Sequence, residues 1–135
     1  MFINFSDIPN HQNLFLDYMY EFENVKDYYK YNFRNKEQYS SIFKNISESR
    51  KNKQLNLASI LNNQYSALQN VSVKTSRNIQ LLEKEKTIAV VTGQQLGILG
   101  GPLYTLFKII TAIRLSNQLT ERYDEFKFVP VFWLE

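Results

Sequence analysis

All four glycines of this 135-residue chain lie within nine residues, Gly93, Gly97, Gly100 and Gly101, and the other 126 residues have none. The β-branched run Thr87-Ile88-Ala89-Val90-Val91-Thr92 leads into that stretch, and Pro102 opens a long helical pattern behind it. Glycine tolerates positive φ and lets backbone approach a neighbour or ligand closely, at an entropic cost. Collecting every glycine at one strand-to-helix junction therefore points to that junction as the place where the chain turns sharply and where a ligand can sit.

The pattern on either side defines the fold class. Thr87 to Thr92 reads as a strand, Pro102 to about Tyr123 as a helix of about 20 residues, and Phe126 to Leu134 as a second strand. Strand, crossover helix and strand make a βαβ unit with parallel strands. Neither strand alternates polar with apolar residues, as expected for a parallel sheet covered on both faces. Pro130 is an objection, because a proline cannot donate to the ladder. Pro102 suits a first helical position, where an N–H would have no partner. Leu103, Leu106, Phe107, Ile110 and Ile113 form one apolar face of the helix, with Ala112, Leu115 and Leu119 on the other side, so packing from more than one direction is expected.

Upstream, residues 1–12 read as an extended lead-in ending in a turn at Ser6 to Asn10. A helix is expected from Asn13 to about Tyr29, and a second one carries Tyr39, Ile42, Phe43 and Ile46, with a break at Glu48 to Lys53. Thr75 or Ser76 is the expected N-cap of a short helix through Ile79, Leu81 and Leu82. The expected organisation is a mainly helical region over residues 1–86, then the start of a Rossmann-like α/β core over 87–135. The second strand ends where its ligand-facing loop would begin, so the chain reads as the N-terminal piece of a larger protein. The alternative is a complete small domain ending in a strand.

Composition excludes several classes. There is no cysteine, hence no disulfide, zinc-thiolate site or thiol nucleophile, which fits the cytoplasm. The net charge of +3 is spread along the chain, so charge does not argue for nucleic acid or a membrane surface as partner. No apolar run reaches the roughly 18 residues of a membrane span. His11 is the only histidine and reads as solvated, no carboxylate cluster offers a metal site, and no serine has a base partner. The aromatic stripe from Phe15 to Phe43 reads as core, and so does Trp133, with an approach to the mouth of the site in a complete protein as its alternative.

The junction itself favours an anion. A glycine-rich turn after a parallel strand aims backbone N–H groups at whatever lies over the next helix, whose dipole favours phosphate or carboxylate. Gln94 and Gln95 add neutral donors and acceptors. Tyr104 and Thr105 stand in the first turn, while Lys108, about two turns in, reaches an anion only through its long side chain. The same glycines would also serve tight strand–helix packing alone, with Lys108 solvated. The spacing is neither G-x-x-x-x-G-K-[ST] nor G-x-G-x-x-G, so local sequence does not name the ligand.

The string Thr92-Gly93-Gln94-Gln95-x-Gly97-x-x-Gly100-Gly101-Pro102-Leu103-Tyr104-Thr105-x-x-Lys108, followed by Val129-Pro130-Val131-Phe132-Trp133, resembles the N-terminal region of the BshC family of bacillithiol-biosynthesis cysteine-adding enzymes. The helix with Leu14, Phe15, Asp17 and Tyr18 and the aromatic region from Phe22 to Tyr31 extend the resemblance. It implies a Rossmann-like core and a cytoplasmic ligase that adds cysteine to glucosaminyl malate. It also implies activation by ATP or another nucleotide, and a homodimeric parent joined by a C-terminal coiled coil. By that likeness Gly93, Gln94, Gln95, Gly97, Gly100, Gly101, Tyr104, Thr105 and Lys108 form the binding loop, with no catalytic residue or metal ligand assigned. The parent's acidic, histidine-containing stretch beyond Trp133 lies outside this chain, so the chain alone is expected to be inactive. The competing expectation is a non-catalytic helical interaction module or an inactive truncated remnant.

Overall fold

The structure, a computed structural model, describes residues 3–51, 56–68, 70–95, 97 and 101–134. The chain divides into two compact units, Met1–Tyr39 and Ser40–Glu135.

In the first unit the lead-in is not extended. Asn4 accepts the Ser6 N–H at 3.0 Å and winds Phe5–Asp7 into a 3-10 turn. Asn10 then takes a left-handed φ of 69°, which asparagine tolerates better than most residues. Helix α1 spans Asn13–Tyr20, nine residues short of the expected end. Glu21 leaves the helical region at φ −125°, and the Asn24 amide donates to Asp17 at 3.1 Å, so the chain folds back. The gain is aromatic packing. Tyr18 lies 4.7 Å from Tyr29 and 5.1 Å from Phe33, ring centre to ring centre. A continuous helix would separate Tyr18 and Tyr29 by about 16 Å along its axis. Val25, of this unit, is buried.

The second unit carries helices α2 (Tyr39–Lys51), α3 (Leu57–Ser66) and α4 (Val73–Leu81), then strand β1 (Thr87–Gln94), helix α5 (Leu103–Arg122) and strand β2 (Lys127–Leu134). The polar stretch from Glu48 does not break α2, which runs on to Lys51. The expected end of that stretch falls on residues 52 and 53, outside the described residues. The cap of α4 is Ser72 rather than Thr75 or Ser76. Its hydroxyl accepts the Thr75 N–H at 3.1 Å, so Thr75 is the residue being capped.

β1 and β2 pair in parallel, Thr87 opposite Lys127 through Gln94 opposite Leu134. Pro130 stands mid-strand opposite Val90. β2 pairs with β1 on one side only among the described residues, and a strand with a free edge tolerates a missing donor. Helix α5 lies against both strands. Its buried residues are small, Thr105, Ala112 and Ser116, and Ser116 returns its hydroxyl to the Ala112 carbonyl at 2.7 Å. The expected coverage of its large apolar face is not found among the described residues. Leu103, Leu106, Phe107, Ile110 and Ile113 are all exposed, because the sheet takes the small-residue side.

Phe43 of α2 binds the N-terminal end of the sheet together, edge-on to Tyr123, Phe126 and Phe128 at 5.1, 5.8 and 4.8 Å. Ser47 and Arg50, on the same helix, donate to the carbonyls of Glu85 and Thr87, each at 2.8 Å. These contacts fix where β1 begins and therefore where its far end points. Truncating Phe43→Ala should lower stability by about 3 kcal/mol, measured as a shift in the urea midpoint, because three rings lose their common neighbour.

Candidate functional site

The carboxyl ends of two parallel strands are where ligands approach open α/β sheets. Here those ends are Thr92-Gly93-Gln94, opposite Phe132-Trp133-Leu134. A Cβ on Gly93 would lie 2.8 Å from the Trp133 carbonyl oxygen and 3.1 Å from its Cβ, so only glycine lets the strands close at this point. Trp133 is not core as expected. It is 64% exposed, on the rim of the junction, and borders a groove that Leu61 and Tyr65 of α3 also line. Its place at the end of the second strand is the signal for the alternative reading at the site mouth, since a tryptophan in an apolar strand is otherwise usually covered.

Beyond Gln94 the chain leaves the sheet and returns to start α5. A Cβ on Gly97 would meet the Gly101 Cα at 2.8 Å, so the outgoing and incoming limbs touch glycine to glycine. Gly101 holds φ +81°, a left-handed conformation that strains any side chain, and a Cβ there would lie 3.1 Å from the Thr105 hydroxyl oxygen. Each of these three glycines thus has a steric reason within the chain itself. Gly100 lies outside the described residues.

Pro102 occupies the cap of α5 at ψ 159°, one residue before the helical position expected for it. A proline brings no side-chain acceptor, and the first turn has no acidic residue. Thr105 N–H bonds back to the Pro102 carbonyl at 2.8 Å. The amides of Leu103 and Tyr104 therefore start the helix without a side-chain cap, and the dipole leaves them favourable to an anion. Thr105 is buried, and its hydroxyl has no hydrogen-bond partner among the described residues. Gln95 is exposed.

Lys108 turns back from α5 to the end of β1. Its ammonium donates to the Gly93 carbonyl at 3.0 Å and to Gln94 Oε1 at 2.9 Å, and sits 4.4 Å from the centre of the Tyr104 ring. Gly93, Gln94, Tyr104 and Lys108 are thereby gathered into one constellation. Beside it a groove of about 270 Å³ runs between β1 and α5, lined by Val91, Thr92, Tyr104, Phe107, Lys108 and Leu115 among others. Lys108 is its one charged lining residue, so the groove is apolar with a cationic end. No group of metal-ligating side chains occurs among the described residues, and none of their helices is long and apolar enough to cross a membrane. His11 is not solvated as expected. It packs between the rings of Phe5 and Phe15 in the first unit, at 5.5 and 5.3 Å.

Comparison with known proteins adds the family. Residues 1–135 match the family described as "Bacillithiol biosynthesis BshC, N-terminal Rossmann-like domain". The chain is 40% identical over 125 residues to a protein of Christiangramia forsetii, with 90% of this chain and 22% of that protein covered. It is 37% identical over 127 residues to one from Flavobacterium psychrophilum, covering 90% and 23% respectively. A third, from Natranaerobius thermophilus, is 35% identical over 126 residues, covering 90% and 22%. All three bear the name "Putative cysteine ligase BshC". The chain spans less than a quarter of the length of these relatives.

The glycine geometry yields a graded expectation. Gly101→Ala should cost about 1–2 kcal/mol from the left-handed backbone alone. Gly93→Val should cost more, because its branches meet backbone that cannot swing aside. It should also shift the emission of Trp133, the chain's only tryptophan, whereas Gly101→Ala leaves that spectrum in place. Urea melts and fluorescence spectra of the two variants measure both effects.

Proposed function

Because the chain belongs to the BshC family, whose N-terminal Rossmann-like domain it matches from residue 1 to 135, we propose that it supplies the anion-binding junction of a ligase that joins cysteine to glucosaminyl malate. The observation that carries this reading is the uncapped start of α5 beside the Lys108–Gln94 pair, at the carboxyl end of β1. Backbone amides, a helix dipole and one cation converge there, and together they suit a carboxylate or a phosphate.

Cysteine brings a carboxylate, and its condensation with an amine needs activation, because a free carboxylate is a poor acyl donor at neutral pH. ATP or another nucleotide would supply that activation when bound, at the cost of a phosphoanhydride bond. This chain's own residues would bind and orient. Leu103 and Tyr104 would present N–H groups, Gln94 and Gln95 would present side-chain amides, and the glycines Gly93, Gly97 and Gly101 would let backbone approach the ligand. Thr105, buried next to Gly101, would support the loop from within the chain. Small water-soluble reactants of this kind fit a cytoplasmic setting, with neither nucleic acid nor a membrane as partner.

A second reading, a non-catalytic interaction module, draws on the exposed apolar row Leu103, Leu106, Phe107, Ile110 and Ile113. One experiment separates the two. Deleting the gene for this chain in its own cell and profiling low-molecular-weight thiols should abolish bacillithiol and leave glucosaminyl malate unconsumed. Undiminished bacillithiol would overturn the ligase reading and favour the interaction module.

A further inference from the structure

The cation of the junction is already engaged by the protein itself. The Lys108 ammonium has three N–H donors and no acceptor. Two donors are held by the Gly93 carbonyl and Gln94 Oε1, at 3.0 and 2.9 Å, and the Tyr104 ring lies 4.4 Å away on another side. A lysine so surrounded has little freedom left to follow a ligand. It is braced between helix and strand.

That brace settles the direction of a neighbouring group. The two ends of a glutamine amide look alike in shape, and their assignment rests on hydrogen-bond partners. An ammonium can only donate, so the end of Gln94 facing Lys108 must be its oxygen. The amide NH2 is then turned away from Lys108, and no partner for it is found among the described residues. The adjacent positive charge polarises the amide and makes its N–H groups better donors. The fixed rotamer also removes the ordering cost a free glutamine would meet on binding.

We propose that Lys108 is a positioning residue that locks Gln94 as an outward hydrogen-bond donor, making the end of β1 a recognition point for a carboxylate or phosphate oxygen. This rests on the junction being a ligand site, as argued above, and adds which side chain touches the ligand and why. Lys108 acts through Gln94 and supplies background positive charge. Gln94 makes the contact. The shared chemistry of the ligand is an anionic oxygen with lone pairs to receive N–H, whether from an amino-acid carboxylate or a nucleotide phosphate.

Two substitutions separate the lock from the contact. Lys108→Met keeps an apolar stem of similar length but removes the donor. Gln94→Glu keeps an acceptor for Lys108, so the brace and the fold are preserved, but replaces the outward NH2 with a carboxylate oxygen that repels an anion. The lock is read without ligand, by 15N–1H NMR of the Gln94 side-chain amide in the 135-residue chain. Its resonances should stand apart from those of exposed glutamines in wild type and merge with them in Lys108→Met. Resonances unchanged by Lys108→Met would overturn the lock.

The contact is read by titrating ATP, cysteine and inorganic phosphate separately into wild type and both variants, which also tells the phosphate source from the carboxylate source. Wild type should shift its Gln94 amide with at least one probe. Both variants should bind that probe about tenfold more weakly, with Lys108→Arg restoring part of the loss and Gln94→Glu retaining the wild-type melting temperature. Full affinity in Gln94→Glu would overturn the donor role while leaving the ligand site intact. A wild type indifferent to all three probes would overturn the ligand site itself, and the donor role with it.

Discussion

The parallel pairing of Thr87–Gln94 with Lys127–Leu134, held against the small-residue side of α5, is the constraint on which the rest of this structure depends. A two-stranded parallel ladder is weak alone, since its slanted bonds need a covering layer. Ala112 and Ser116 let the α5 backbone come close to the strands, and the Phe43 ring seals the opposite end. With both ends of the ladder placed, the last residues of β1 and the first turn of α5 meet at a set distance. The reach of Lys108 back to Gly93 and Gln94 is the consequence, because a side chain of fixed length finds both acceptors only if helix and strand are in register.

The glycine cluster takes its meaning from that geometry. Gly93 admits the Trp133 backbone, Gly97 and Gly101 admit each other, and Gly101 supplies the one left-handed glycine conformation among the described residues. These demands are steric and internal. Each is met by the protein's own backbone or side chains, at the Trp133 carbonyl, at Gly101 and at Thr105. The sequence leaves packing alone and anion binding as alternatives, and the geometry supplies a packing reason at Gly93, Gly97 and Gly101.

Surface chemistry divides along α5. The side facing the strands is small and quiet, while Leu103, Phe107 and Ile113 face outward with no cover among the described residues. A helix that is apolar around most of its circumference must choose which side meets the sheet. Close approach favours the small residues, since bulky ones would hold the helix off and lose contact along both strands.

The fold class was legible in the sequence because it rests on local patterns: a β-branched run, a helical period opened by proline and a second apolar run make a βαβ unit wherever they occur. Membership of the BshC family was legible too, since the string from Thr92 to Lys108 carries it in residue types alone. Sequence period did not show that α1 stops at Tyr20, because only the folded chain brings Tyr29 and Phe33 onto Tyr18. Nor did it show that Ser72 caps α4, or decide that Trp133 lies at the rim rather than in the core. The residues of the junction could be named in advance, but their roles could not. Whether Lys108 reaches a guest or braces Gln94 depends on a separation of about 3 Å between an ammonium and two oxygens from another element. Linear order fixes which groups are available, and distances of that kind exist only once helix and strand have packed.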